Sequence, residues 1–167
     1  MQLGILIIDN RFLTKNIYKE IKNFIRQEFM TFFDYINFIL CKNEITEIKK
    51  KLNEIKKYDT IFIIDNMRLE NYDYNIEFYK NWLDRRIIPL EESLKYSLVQ
   101  KFGPLTALSS QVAGIKDSCH VFAFSNKLDE IKQLIYMVIK TFILNHLIFK
   151  ENYKKPLHML KEYVEYE

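Results

Sequence analysis

Leu3-Gly4-Ile5-Leu6-Ile7-Ile8 is a continuous apolar run that ends at Asp9-Asn10. A run of this length that is apolar at every position is typical of a strand buried on both faces of a parallel sheet. Two further runs of the same kind follow, Phe38–Cys41 and Thr60–Ile64, and the second of these ends at Asp65-Asn66. The chain therefore begins with three predicted parallel strands.

Amphipathic helices separate these strands. Thr14 can cap the first helix, whose apolar residues recur mostly every three or four positions from Ile17 to Phe29. Asn43 can cap the second helix, which carries an apolar stripe from Ile45 to Ile55. This order of strands and helices favours right-handed βαβ units and a parallel sheet covered by helices.

The second half of the chain extends the same sheet. Its predicted elements are helix Ile76–Leu83, helix Leu90–Phe102 ended by Gly103-Pro104, strands Leu105–Gln111 and Cys119–Phe124 joined by a turn containing Ala113-Gly114, and a helix from Asp129 to about Phe149. The short connection allows the two strands to pair antiparallel. The predicted fold is an α/β three-layer αβα sandwich with a mostly parallel sheet and an antiparallel member. One domain spans 1–149, and a polar tail follows over 150–167.

Composition excludes several classes of protein. Lys and Arg total 25 against 22 Asp and Glu, and the lysines are spread along helices, so no nucleic-acid partner is expected. No apolar run reaches the roughly 18 residues that a membrane span needs, nor forms a signal peptide. Cys41 and Cys119 belong to no CxxC pair and are expected to be buried free thiols of a cytoplasmic protein.

Polar residues follow the predicted strands. In open α/β sheets, ligands bind beyond the carboxyl ends of the strands. The candidate segments are Asp9-Asn10-Arg11, Asn43, Asp65 to Asp73, and Ser125-Asn126-Lys127. Asp65, Glu70 and Asp73 could hold Mg²⁺, and Arg68 and Lys127 could meet a phosphate. The alternative is a solvated loop with exposed surface charges. Neither a P-loop nor a G-x-G-x-x-G fingerprint is present.

The histidines and cysteines suggest no catalytic site. Cys119 and His120 are neighbours in a predicted strand, so their side chains should point to opposite faces. His146 is expected in the last turn of the long helix, where it favours the helix dipole, and His158 falls in the tail. Three scattered histidines do not form a zinc site.

The segment Thr106-Ala107-Leu108-Ser109-Ser110-Gln111-Val112-Ala113-Gly114-Ile115 resembles the molybdopterin-binding family of the MogA and MoaB type, in which this stretch reads approximately T-A-x-L-S-R-x-x-A-G-I. The resemblance covers about residues 4 to 149. Asp73 then corresponds to the aspartate of the family's D-x-T motif, and Asn75 to its threonine. Glu92 corresponds to the glutamate of the P-G-F-G-E motif.

Several positions depart from the family's motifs. Asp65-Asn66-Met67-Arg68 stands where the family has G-G-T-G, and Asn43 replaces a strand-end aspartate. Phe124 to Leu128 replaces L-P-G-x-P. Glycines let backbone N–H groups approach a phosphate closely. Met67 and Arg68 are therefore expected to add bulk to that space.

The resemblance implies a molybdopterin or nucleotide ligand such as ATP, an adenylyl-transfer activity that depends on Mg²⁺, and a homotrimer. Asp73 is the implied catalytic and metal residue. The ligand-binding candidates are Asn43, Asp65, Asn66, Arg68, Asn75, Ser109, Ser125, Asn126 and Lys127. Together with the lost glycines, this predicts a diverged molybdenum cofactor biosynthesis protein with impaired catalysis. Two alternatives stay open, namely a pseudoenzyme that serves as an oligomeric scaffold and a protein that binds another phosphorylated small molecule.

Overall fold

A computed structural model describes residues 1–9, 13–68 and 74–146. Within these ranges the chain forms one six-stranded sheet in the order β2-β1-β3-β6-β5-β4. The strands are β1 (Gln2–Asp9), β2 (Tyr35–Lys42), β3 (Thr60–Asp65), β4 (Arg85–Arg86), β5 (Val112–Lys116) and β6 (Cys119–Ser125). Strands β2, β1, β3 and β6 are parallel, and β5 pairs antiparallel with both β6 and β4. The predicted mostly parallel sheet with an antiparallel member is confirmed.

Helices cover both faces of the sheet. They are α1 (Lys15–Phe29), α2 (Ile45–Ile55), α3 (Tyr74–Trp82), α4 (Ile88–Phe102) and α5 (Leu128–Leu134). Helix α5 widens into a π-helical segment, Ile135–Ile139, and helical structure continues over 140–146. Helices α1, α4 and α5 pack on one face of the sheet, and α2 and α3 pack on the other. The three-layer αβα architecture is therefore confirmed.

Strand β1 lies between the two layers of helices. Ile5 and Ile7 face α1 and α5, whereas Leu6 and Ile8 face α2, and all four side chains are fully buried. This burial on both sides is the reason for the continuous apolar run. Gly4 leaves space for the Tyr58 ring, since a Cβ at this position would lie 2.4 Å from Cδ2 of Tyr58 and force the ring to shift.

The segment before β5 differs from the prediction. Leu105–Gln111 is not a strand, because Pro104–Leu108 forms a 3₁₀ helix. Thr106 Oγ1 donates to the Gly103 carbonyl at 2.7 Å, and Ser109 Oγ donates to the Thr106 carbonyl at 2.8 Å. These local hydrogen bonds satisfy backbone carbonyls that a sheet would otherwise pair.

The turn between β5 and β6 also lies elsewhere than predicted. Ala113 and Gly114 are inside β5, and the turn is Asp117-Ser118, where φ is 49° and 81°. Gly114 instead allows β5 to lie close to β4, because a Cβ at this position would lie 2.3 Å from the carbonyl oxygen of Arg85 in β4. Strand β4 has only two residues, too few for a period to identify it in the sequence.

The ends of the helices follow the sequence in part. Thr14 caps α1 as predicted, with its side chain accepting a hydrogen bond from the Ile17 N–H. Asn43 does not cap α2, since Glu44 is the N-cap residue. Helix α4 ends at Gly103, whose φ is +89°. The predicted end of the last helix, Phe149, and the tail lie outside the described residues.

Both cysteines are buried free thiols, as predicted. Burial raises the pKa of Cys41 to about 11, and the negative charge of Glu47 adds to the effect. Across the described part of the chain, no helix is both long and apolar enough to cross a membrane.

Candidate functional site

The parallel strands bring their carboxyl ends to one edge of the sheet. Asp65 at the end of β3 is paired in register with Ser125 of β6, and Asp9 at the end of β1 with Lys42 of β2. Asn43 follows β2 directly. The candidate residues on these four strands therefore share one edge. Asn10 and Arg11 lie outside the described residues, as do Glu70 and Asp73.

Asp65 is the centre of a buried hydrogen-bond network, with only 1% of its surface exposed. Its Oδ1 accepts from the Asn66 N–H at 2.6 Å, and its Oδ2 accepts from Tyr79 Oη at 2.7 Å and Asn75 Nδ2 at 3.0 Å. Asn75 Nδ2 also donates to Asn43 Oδ1 at 2.7 Å. The network joins the ends of β2 and β3 to helix α3.

Sequence reasoning named four residues of this network, Asn43, Asp65, Asn66 and Asn75, as candidate site residues but missed Tyr79. Tyr79 is four residues after Asn75 on α3, so both side chains lie on one helical face. That spacing was the signal by which Tyr79 could have been found. It could be used only if the helix begins at Tyr74, whereas the sequence analysis began it at Ile76 and so left Asn75 outside. Because donors occupy both oxygens of Asp65, its carboxylate helps to fix the strand ends in this structure.

An open cleft of about 1020 Å³ lies beside this network at the same edge. Five of the predicted ligand-binding residues line it, namely Asn66, Arg68, Ser109, Asn126 and Lys127. Ser125 is buried behind them and its Oγ accepts from the Lys127 N–H at 3.2 Å. Asn43, Asp65 and Asn75 thus lie within the buried network, Asn66 belongs to both the network and the cleft wall, and Ser125 supports the loop that carries Lys127.

Apolar side chains form part of the cleft wall. Leu105 is 81% exposed, Leu108 is 47% exposed and Phe102 is 40% exposed. Exposed apolar surface next to polar groups is the usual composition of a small-molecule site. None of these three residues was predicted as part of the site, because Leu105 and Leu108 were assigned to a strand.

Two basic residues enter the cleft from different loops. Lys127 Nζ lies 3.5 Å from Glu130 Oε1. Arg68 is exposed and forms no ion pair with any residue that the structure describes. Its guanidinium is thus available for an anionic group, which it can bind through several N–H donors at once.

Backbone pairing positions the segment that replaces the glycine-rich loop. Arg68 forms an antiparallel bridge with Ser109, and the Ser110 N–H donates to the Met67 carbonyl at 2.7 Å. Met67 is 1% exposed and packs between the sheet and α2 and α3. The expectation that Met67 fills the binding space is therefore wrong, because its side chain belongs to the core. Only Arg68 of this pair reaches the cleft.

The glutamates at the start of α4 have unequal environments. Glu92, which the resemblance places at a motif glutamate, is exposed. Glu91 is 8% exposed and accepts from Arg86 Nε at 3.0 Å, from Arg86 Nη2 at 2.6 Å and from the Ala113 N–H at 3.2 Å. The hydrogen bonds that Arg86 donates to the Glu91 carboxylate raise the pKa of Arg86. This ion pair connects β4, α4 and β5.

The residues of the described ranges contain no group of three or more His, Cys, Asp or Glu side chains arranged to hold a metal ion. The role predicted for Asp73 concerns a residue outside those ranges. The arrangement that the structure does describe can bind a small molecule with an apolar part and an anionic part.

Comparisons with known proteins identify the fold. No protein-family model matches the chain, and no curated protein matches it in sequence. Among solved structures, it is similar to a molybdopterin biosynthesis protein from Mycobacterium abscessus, with 15% identity, a TM-score of 0.74, and coverage of 90% of this chain and 96% of the other. The tungsten cofactor synthesizing protein MoaB from Pyrococcus furiosus shows 17% identity and a TM-score of 0.73, with 89% and 95% of the two chains covered.

A more distant neighbour is the protein CinA from Thermoplasma acidophilum, with 11% identity and a TM-score of 0.57 over 85% of this chain and 97% of that one. The likeness extends over nearly the whole length of all three structures. At these sequence identities the similarity shows the fold alone. It is the fold that the resemblance around Ser109 predicted. The chain thus has the fold of the MogA and MoaB molybdopterin biosynthesis proteins.

Proposed function

We propose that this protein binds a molybdopterin-like or nucleotide ligand in the cleft beside β3 and β6 and has lost most or all adenylyl-transfer activity. The observation that carries the proposal is the convergence of Arg68 and Lys127 with the apolar residues Leu105 and Leu108 on one open cleft. Molybdopterin and nucleotides each combine a heterocyclic ring system with phosphate, and the cleft offers a surface for each part.

Arg68 supports the phosphate half of the proposal. It is exposed and unpaired among the described residues, at the position where the family's loop contacts phosphate through backbone N–H groups. A guanidinium can replace several such donors, because it presents a fork of N–H groups to phosphate oxygens. Asn66 and Asn126 add neutral side-chain donors around it.

The state of Asp65 supports impaired catalysis. Its carboxylate is buried and accepts three hydrogen bonds from neutral donors, which leaves one of its about four lone-pair sites for a metal ion. We propose that any Mg²⁺ arrives with the phosphates of a nucleotide and that Asp73 supplies the protein ligand. A homotrimer in the cytoplasm, as the resemblance and the free thiols suggest, completes the proposal.

Thermal unfolding in the presence of molybdopterin, or of ATP with and without Mg²⁺, tests ligand binding. A ligand at 100 times its dissociation constant stabilises the fold by about 2.7 kcal/mol, which raises the Tm of a chain of this size by about 5–10 °C. Arg68→Ala should weaken binding by about 10- to 100-fold, since it removes a charge-assisted contact. Lys49→Ala, an exposed lysine of α2 on the other face of the sheet, is the matched control.

The outcomes separate the proposal from its alternatives. A shift with ATP or molybdopterin that Arg68→Ala reduces supports the cleft as the site. A rise in Tm with other phosphorylated compounds alone would favour the alternative in which the protein binds another phosphorylated small molecule. The absence of any shift would favour the scaffold. Asp73→Asn should abolish the dependence on Mg²⁺ while leaving the binding of the metal-free ligand unchanged.

A further inference from the structure

Strand β2 leaves one long edge of the sheet open. It has eight residues in an unbroken one-to-one register with β1, without proline and without a bulge. No other described strand pairs with its outer side. About half of its backbone N–H and C=O groups therefore point away from the sheet. The opposite edge is different, because β4 has only two residues.

Positive charges surround this open edge. On the α1 side, Lys22 Nζ lies 5.5 Å and the Arg26 guanidinium 5.4 Å from the centre of the Phe38 ring in β2. On the α2 side, Lys57 lies 5.9 Å from the centre of the Tyr58 ring, which in turn contacts Tyr35 of β2. None of the three cations forms an ion pair with a described residue.

The pattern of charge decides which strand could pair with β2. Two copies of this edge, placed side by side, would bring like charges together, which opposes pairing with a second β2. An acidic segment with high strand propensity would instead satisfy both the free backbone groups and the cations. The chain contains such a segment, Glu162-Tyr163-Val164-Glu165-Tyr166-Glu167. It combines three carboxylates with tyrosine and valine, which favour strands.

The connection is long enough for this segment to reach its own β2. His146 lies with Met1 and Thr60 around a small cavity at the amino ends of β1 and β3. Strand β1 is the direct neighbour of β2, about 5 Å away. Residues 147–161 can span up to about 50 Å when extended.

We propose that residues 162–167 of the same chain bind along the outer edge of β2 as an added strand, with their carboxylates facing Lys22, Arg26 and Lys57. The added strand supplies partners for the outward N–H and C=O groups of β2. It also neutralises the edge, so that pairing with foreign strands is suppressed.

Hydrogen exchange of the full chain, compared with a chain that ends at Lys161, tests this proposal. Loss of residues 162–167 should accelerate exchange of the outward-facing amides of β2 by about tenfold or more, while amides of the internal strand β5 keep their rates. A synthetic peptide of residues 162–167 should restore the protection, and added salt should weaken the effect of the peptide. Unchanged exchange in β2 after the truncation would overturn the proposal.

Two sets of variants separate strand pairing from a simple loss of charge. Val164→Pro keeps all three carboxylates but removes a backbone donor, so it should release β2 as the truncation does. Lys22→Gln combined with Arg26→Gln should weaken protection, whereas Lys95→Gln on α4 is the matched control. Protection of β2 that disappears on dilution would mean that another copy occupies the edge, which contradicts the proposal for the same chain.

Discussion

Replacement of Asp65 by alanine should strongly destabilise the protein. The change removes the acceptor for Asn75 Nδ2, Tyr79 Oη and the Asn66 N–H, at 3.0, 2.7 and 2.6 Å. A buried donor left without its partner costs about 1–3 kcal/mol. Three donors lose this acceptor, but Asn75 keeps its bond to Asn43 and Asn66 is only partly buried, so the loss is smaller than three full penalties. We expect about 3–5 kcal/mol in total, a large part of a typical stability of 5–15 kcal/mol.

Urea unfolding followed by circular dichroism measures this loss as a change in the free energy of unfolding. Tyr79→Phe should cost about 1–2 kcal/mol, because it removes one hydroxyl and leaves Asp65 with its two other donors. In the double variant with Asp65→Ala the effects should fall short of additivity by about 0.5–2 kcal/mol. A loss below about 1 kcal/mol for Asp65→Ala, or strict additivity, would refute the assignment of Asp65 as the centre of the network.

Three further predictions concern other parts of the fold. Gly114→Ala should cost more than about 2 kcal/mol in urea unfolding, since the new Cβ would lie 2.3 Å from the Arg85 carbonyl oxygen, and a wild-type midpoint would contradict the close contact. With its pKa raised to about 11, Cys41 should be about 0.1% ionised at pH 8 and resist thiol reagents until the chain unfolds. The same shift should reduce stability as the pH rises from about 9 to 11, and Cys41→Ser should remove that dependence. Glu91→Ala should cost about 1–2 kcal/mol, with Glu92→Ala as the neutral control.

The sequence predicted the fold well where burial of the side chains determines the pattern of apolar residues. The runs at Leu3–Ile8 and Ile61–Ile64 are apolar throughout because helices cover both faces of these strands, so period and length alone identify them. The same reasoning failed at Leu105–Gln111. Leu105 and Leu108 look like strand residues, but they line an open cleft, and hydrogen bonds from Thr106 and Ser109 decide the local structure.

The sequence predicted where the site lies on the sheet, but it did not predict which of the site residues are buried and which line the cleft. Parallel strands place Asn43, Asp65 and Ser125 at one edge whatever their side chains do. The division between a buried network and an open cleft depends on which way the loops after β3 and β6 turn. Met67 illustrates this, since its side chain packs in the core against α2 and α3, so that Arg68 is the only one of these two neighbours in the cleft.

The π-helical segment in the last helix has a consequence for how the chain can vary. Such a segment contains one residue more than regular α-helix would need, and each residue turns the helix by about 100°. Deletion of Met137, which is 62% exposed, would therefore turn 140–146 away from its present direction, carrying Ile143 out of the core and Lys140 away from Glu28. The two halves of this helix are out of phase with each other. The residue count between Ile135 and Ile139 is therefore tied to the packing on both sides of it.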